Sequence, residues 1–323
     1  MRIVVTGATS FLGAAAVKKF LSMGHQVYGI IRPGSVNRAA LPQSAPGLKV
    51  IELELERLPE IGNYIEEECP LFLHLGWDGS GSENRKNPAV QQKNVKDSMG
   101  ALLGAESLGC RRFLFGGSQA EYGRGREIME EDSPCSPVSE YGRAKLAFGK
   151  QARAFVEERR ANGLAGMEYV HARIFSVYGP GDHPWSLVNT CLDTFLQGGE
   201  MKLGACTQYW NYLYIDDLIN AFCSLLFHPG ELTGGGIYNI AASEEATRPL
   251  KEYVEEIHNL CGGRGSCCYG VLPPNAEGPA DLRPRIRRIK EACGWEPEIS
   301  FHEGIRRMLE VKCLPEKADN SRM

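Results

Sequence analysis

The stretch "VTGATSFLG", residues 5–13, constrains this chain more than any other. An apolar run, "RIVVT", leads into it, and a helical pattern, "FLGAAAVKKFLSMG", leaves it, with Phe11, Val17, Phe20 and Leu21 on one side and Gly24 as the stop. A strand that turns through glycine straight into a helix aims that helix's unpaired N–H groups at the turn, where an anion such as a pyrophosphate can be held. Gly7 permits the tight turn and Gly13 lets the helix pack close to the strand. Ser10 stands where a middle glycine is expected. Its small hydroxyl still allows close approach and can donate to a phosphate, at the expense of an altered turn.

The next hundred and fifty or so residues agree with a sheet built from strand–helix–strand units. "QVYGIIR", "LKVIELEL", "LFLHLG" and "RRFLFGGS" read as strands two to five, with a helix "VKDSMGALLGAESLG" between the last two, and "MEYVHARIFSVYG" as the sixth. The expectation is an α/β fold, a Rossmann-type doubly wound parallel sheet with a smaller α/β C-terminal substrate lobe, and ligands along the edge formed by the strand C-termini. From about Pro180 Gly, Pro and Trp interrupt the pattern, while "YLYIDDLINAFCSLLF" returns the chain to the sheet. The expected division is 1–178 with about 210–240 for the dinucleotide domain, 179–209 with about 241–312 for the lobe, and a disordered tail over 313–323.

Composition narrows the function. A net charge of −4 over 323 residues gives no electrostatic case for nucleic acid or an anionic membrane, and no apolar run approaches the roughly 20 residues of a membrane span. Eleven scattered cysteines without an export signal read as reduced thiols in the cytoplasm. Cys267–Cys268, with Cys261 nearby, lack zinc-type spacing, so no metal is expected. The end of the second strand bears on the cofactor: a carboxylate there holds the ribose in NAD sites, whereas Arg accommodates the extra phosphate of NADP. Between Gln26 and Val50 there is no Asp or Glu, and Arg32 occupies the diagnostic place with Ser35 and Arg38 close behind. NADP(H) is therefore favoured, with NAD(H) the alternative.

"SEYGRAKLAFGK", residues 139–150, places Tyr141 and Lys145 one helical turn apart on one face. An ordinary helix would carry the same pair, but beside a nicotinamide it has a task. Hydride transfer at a carbinol carbon needs a proton to move on the oxygen, and an ammonium near a phenol of pKa about 10 favours the phenolate. Ser118, at the end of "FLFGG", is the hydroxyl that would orient the substrate oxygen, with two glycines leaving space around it.

From Arg2 to about Leu309 the chain resembles the extended short-chain dehydrogenase/reductase family, in its NAD(P)-dependent epimerase/dehydratase group acting on nucleotide sugars. The resemblance is carried in order by "TGATSFLG", "LHLGW", "QKNV", "FGGSQAEYG", "YGRAK", "ARIFSVYGPGD", "YLYIDDLINAF", "YNIAA" and "CGWEP". It implies Tyr141 as general acid/base, Lys145 as its tuner and ribose ligand, and Ser118 as the substrate-oxygen partner. Asn94 would take a structural or proton-relay position. Gly7, Thr9, Ser10, Phe11, Leu12 and Gly13 would line the pyrophosphate, with Leu75 near the cofactor.

Gln119 and Ala120 follow Ser118 where a 4,6-dehydratase would carry Asp-Glu, which leaves a nucleoside-diphosphate 4-keto-6-deoxysugar 4-reductase first and a 4-epimerase with tightly bound NAD second. A non-catalytic NADP(H) sensor or scaffold is the reading outside enzymology. In the substrate lobe, Gln208 and Asn211 match a substrate motif in which Trp210 replaces an arginine, and Ser176 replaces an asparagine. Arg283 is the substitute diphosphate anchor, and Trp77 and His183–Trp185 are candidates to shape a sugar pocket. The resemblance also implies a homodimer built on the helix after Asn94 and the Tyr141 helix.

Overall fold

The computed structural model describes residues 1–81, 83–125, 127–164, 166–273 and 280–313. Its center is a seven-stranded, wholly parallel sheet. The strands are β1 (Arg2–Thr6), β2 (Gln26–Ile31), β3 (Leu48–Glu52), β4 (Leu71–His74), β5 (Arg112–Ser118), β6 (Glu168–Ile174) and, returning late in the chain, Ile237–Ile240. Taken across the sheet, that last strand lies at one edge beside β6, followed by β5, β4, β1, β2 and β3. The order reverses at β1, between β4 and β2, and this is the crevice where such sheets hold ligands.

Side chains alternate between two apolar layers, as the strand repeat of two requires. On β1, Ile3 and Val5 join the layer containing Val17 and Phe20 of α1 (Phe11–Ser22), while Val4 joins Phe72, Phe113 and Phe115 on the other face. That second layer is covered by α2 (Pro88–Ser107) and α3 (Glu140–Ala161), the latter contributing Phe148. Each fully buried Phe stabilises the fold by roughly 1.5–3 kcal/mol relative to exposure.

Three elements differ from the sequence reading. The helix expected from Val95 begins two turns earlier, because Asn87 accepts from the N–H groups of Ala89 and Val90 and Pro88 fills the first helical position. The expected single sixth strand divides at Phe175: its N–H goes to Ile240, after which β7 (Ser176–Tyr178) leaves to pair with β10 (Tyr212–Tyr214). The link from β3 to β4 is a 3-10 segment, Leu55–Asn63, with Pro59 inside it.

The later part of the chain contains α4 (Leu187–Leu196), β8 (Glu200–Lys202), β9 (Tyr209–Trp210), α5 (Ile215–Leu226), β11 (the edge strand Ile237–Ile240 already placed), β12 (Arg248–Pro249), α6 (Leu250–Leu260), β13 (Ser266–Cys268), α7 (Arg287–Cys293) and α8 (Phe301–Cys313). Of these, α5 packs against α1, and two small ribbons, β12 with β9 and β13 with β8, build the lobe. Cys313, expected to open the tail, is the last residue of α8, and 314–323 lie outside the described residues. All eleven cysteines are free thiols. Among the described residues no helix is long and apolar enough to cross a membrane.

Candidate active site

The glycine turn is built for close approach. Gly7 has φ +65°, and a Cβ there would stand 2.9 Å from the backbone of Leu75 and Gly76. A Cβ on Gly13 would meet the Gly7 carbonyl oxygen at 2.1 Å, so α1 sits directly on the turn. Ser10 needs no glycine, since its backbone is extended (φ −73°, ψ 166°), and its hydroxyl accepts from Gly13 N at 3.1 Å as the helix cap. The amide groups of Phe11 and Leu12 open the helix, whose first turn carries no acidic residue. This cradle fits a pyrophosphate.

Thr6 ties the turn to β4. Its Oγ1 accepts from the N–H groups of Leu75 and Gly76 at 3.1 and 3.0 Å, so it donates its proton to His74 Nδ1, 2.8 Å away. His74 Nε2 then donates to Ser98 Oγ at 3.0 Å. Burial, and next the charge of Lys145, push the His74 imidazole down to about 3, so it braces β1, β4 and α2 as a neutral ring.

At the end of β2, Arg32 reaches Asp78 beyond β4 at 3.3 Å, with 68% of its side chain exposed. Thr9 Oγ1 lies 3.2 Å from Ser35 Oγ, and Arg38 is paired with Glu52 at 2.7 Å. Asn94 is buried and spends its amide on the backbone of Asp78, accepting from its N–H and donating to its carbonyl, both at 2.8 Å. That is the structural role of the two anticipated.

Tyr141 and Lys145 lie in the first turns of α3, which Ser139 caps through Gly142 N. Lys145 is buried. Its Nζ donates to Gly116 O at 2.8 Å and stands 3.8 Å from the center of the Trp77 ring, 4.5 Å from that of Phe115 and 5.6 Å from that of Tyr141. Desolvation in this cage, opposed by the charge of Glu121 and aided by that of Arg85, brings its pKa down to about 7. Trp77 thus stands beside Tyr141 and Lys145, with its ring edge-on to Tyr141 at 6.2 Å and its indole N–H given to Gln91.

Ser118 heads the single turn Gln119–Glu121, with its Oγ accepting from Ala120 N and its own N–H given to the Glu121 carboxylate at 2.9 Å. The hydroxyl proton remains its own to donate. Glu121 is fully buried and is also bonded by His171 Nε2 at 2.9 Å and Arg173 Nε at 3.0 Å. Burial opposes its charge, but His171 and Arg173 outweigh that and hold the carboxyl below its usual range. The two glycines before Ser118, expected to leave space around it, are instead filled against by neighbouring side chains. A Cβ on Gly117 would meet His171 Nε2 at 2.3 Å, and one on Gly116 would meet Leu75 Cδ2 at 2.7 Å. They make room for the buried network and the β4 crossing.

The lobe residues divide. Asn211 has no exposed surface: its Nδ2 donates to Ala242 O, Ser243 O and Thr247 Oγ1, and its Oδ1 accepts from Ala242 N. It is a tie between segments, not a group open to substrate. Ser176 is half-buried on β7, and Gln208 immediately precedes β9. Arg283 lies 3.7 Å over the Tyr209 ring and 3.6 Å from Asp281. Its Nε and the Trp210 Nε1 are buried donors with no acceptor among the described residues. His183 and Trp185 stack on each other beside a cleft of about 1160 Å³ that also takes in Thr9, Ser10 and Phe11. Among the described residues no cluster of His, Cys, Asp and Glu is arranged to hold a metal.

Sequence reasoning missed Arg85, whose guanidinium covers the Tyr141 ring at 4.2 Å, and the Glu121–His171–Arg173 network. The pattern His-x-Arg on a buried strand, with a Glu after the strand before it, was the available signal for the network. Arg85 had none.

The chain as a whole is similar to known proteins. The model of the family described as NAD dependent epimerase/dehydratase family matches residues 3–241. The chain is 25% identical to the UDP-glucose 4-epimerase of Mycolicibacterium smegmatis, covering 96% of this chain and 98% of the relative. It is 27% identical to UDP-glucuronic acid decarboxylase 1 of Arabidopsis thaliana, over 96% of this chain and 69% of the relative. The UDP-glucose 4-epimerase of Thermus thermophilus, solved with NAD, superposes with a TM-score of 0.81 at 22% identity, covering 96% of this chain and 98% of that one.

Proposed function

The chain belongs to the NAD dependent epimerase/dehydratase family, and on that premise we propose that it is a nucleotide-sugar oxidoreductase that reduces a nucleoside-diphosphate 4-keto-6-deoxysugar at C4, with NADP(H) preferred. The observation that supports an enzyme is the grouping at the C-terminal ends of β4 and β5: a buried amine one turn from the Tyr141 phenol, with the Ser118 hydroxyl heading the adjacent turn. When bound, the nicotinamide supplies or accepts the hydride. Phe11 and Leu12 N–H would hold the pyrophosphate, and Lys145 would donate to the ribose hydroxyls. Ser118 donates a hydrogen bond to the substrate oxygen, and Tyr141 delivers the proton that turns that oxygen into a hydroxyl.

Arg32, with no carboxylate from Gln26 to Val50, supports NADP(H). The orphaned Nε of Arg283, over the Tyr209 ring of β9, supports a diphosphate there. The second reading, a 4-epimerase retaining NAD, is supported by the Mycolicibacterium and Thermus relatives, which carry that activity in their names. The free thiols fit a cytoplasmic location. The packed pair α2 and α3, with Leu103 exposed, fits a homodimer contact that light scattering tests.

The deciding experiment mixes protein, NADPH and a nucleoside-diphosphate 4-keto-6-deoxysugar and follows the nicotinamide absorbance. Oxidation that vanishes in Tyr141→Phe supports the reductase. Interconversion of C4 epimers with cofactor retained replaces it with the epimerase. Binding without either, across a panel of sugars, leaves a sensor and refutes catalysis.

A further inference from the structure

Two buried side chains of α2, Asn94 on the Asp78 backbone and Gln91, hold the segment that precedes the helix. Gln91, 1% exposed, accepts the Trp77 indole N–H at 2.9 Å and donates to the carbonyls of Gly79 and Asn84, both at 3.0 Å. Gly79 takes φ +67°, and a Cβ there would stand 2.5 Å from Asn84 Cβ, so Gly79 and Asn84 lie in close approach. Two side chains are thereby delivered to α3: Trp77 against the Lys145 amine, and Arg85 onto the Tyr141 ring. A loop held this way places a guanidinium 4.2 Å from the phenol ring center, closer than the 5.6 Å of the Lys145 amine.

We propose that Arg85 is a positioning residue for Tyr141, packing on its ring and supplying a second, permanent positive charge that favours the phenolate. The inference deepens the proposed function and rests on Tyr141 being the acid/base. The physical need arises at Lys145. Its amine, caged by Trp77 and Phe115, has its pKa brought down to about 7, so above neutrality it is largely uncharged and does little for a neighbouring phenolate. A guanidinium keeps its charge throughout.

Other charged groups described near the pair are engaged elsewhere or neutral. On α3, Glu140 and Arg143 are bonded to each other. His74, from β4, is neutral, and Glu121, beyond β5, is engaged by His171 and Arg173. Lys145, the amine that faces the ring from α3, is the cation whose charge varies with pH.

The test needs neither substrate nor cofactor. Ultraviolet difference titration near the phenolate band, full-length protein minus its Tyr141→Phe variant, isolates the ionisation of Tyr141. The same difference is measured in the Arg85→Gln and Arg85→Lys backgrounds. An opposite charge at this range moves a pKa by roughly one pH unit or more, so Arg85→Gln should raise the Tyr141 midpoint by about that much and Arg85→Lys should restore most of it. An unchanged midpoint in Arg85→Gln, with near-ultraviolet circular dichroism intact, overturns the proposal. If Arg85→Gln loses its native dichroism, Arg85→Lys alone decides, and a midpoint raised as far as that of a fully neutral site refutes a role for fixed charge. Because turnover is not measured, a failed titration leaves the catalytic reading standing, and a failed turnover assay leaves the titration interpretable.

Discussion

Replacing Lys145 with Met removes a charge from a fully buried cage while keeping the length of the side chain. In the unfolded chain the amine titrates near its ordinary 10.5, whereas in the fold it titrates near 7. Each tenfold change in proton affinity corresponds to about 1.4 kcal/mol, so keeping the charged amine in the fold costs on the order of 5 kcal/mol. The folded pKa is the lower one, so below pH 7 both states bind the proton and the whole cost is present. Between pH 7 and 10.5 only the unfolded chain binds it, and the wild-type protein gains stability as pH rises. Lys145→Met carries no such term. It loses only the bond to Gly116 O, about 1 kcal/mol at every pH. Urea unfolding of the two proteins in parallel should therefore find Lys145→Met more stable at pH 7, by an amount that shrinks by about 1.4 kcal/mol per pH unit to pH 9. Other titrating groups cancel in the difference. A difference that stays flat from pH 7 to 9 would mean that water reaches the amine, and the reasoning about its cage would fail.

Gly13→Ala should abolish dinucleotide binding in calorimetry, because its Cβ has no room against Gly7 O at 2.1 Å; wild-type affinity would show that the turn is not the cradle. Arg32→Ala should weaken NADPH about tenfold, the ~1.4 kcal/mol of an exposed charge-assisted contact, and leave NADH unchanged, as read by fluorescence titration of both cofactors. Arg112→Met should destabilise the fold by about 3–5 kcal/mol in urea, because it strands Glu168 and the carbonyls of Leu225, Leu226, His228 and Gly230 that the guanidinium now serves.

The sheet and its ligand edge were legible because strand period, glycine turn and helix stops are local signals. Gly7, Gly13, Tyr141 and Lys145 each announce themselves by spacing. What escaped depends on contacts distant in sequence. The Gly116–Gly117 pair suggests open space around Ser118, yet it is shaped by His171, more than fifty residues later, and by Leu75. Asn211 matched a substrate motif, but Ala242, Ser243 and Thr247 claim its amide. Arg85 sits in the short 3-10 turn Asn84–Lys86, and bonds from the helix that follows, such as Gln91 to Asn84 O, help bring it to Tyr141. The division of the sixth strand at Phe175 depends on Ile240, a partner that no local window contains.

The edge strand β11 sets a timetable for synthesis. Until Ile237–Ile240 leaves the ribosome, the flank of β6 that it covers has nothing to pair with, and at about 5–20 residues per second that interval lasts several seconds. During it the nascent chain carries an open sheet margin that chaperones or a neighbouring polysome product can occupy. Once β11 docks, the new margin is capped by residues already made: Glu131 takes the Asn239 N–H, and the Asn239 amide donates to Met129 O, with Arg285 O joining later in synthesis. Conditions that slow elongation between residues 174 and 237 should therefore lower soluble yield more than an equal pause placed after residue 240.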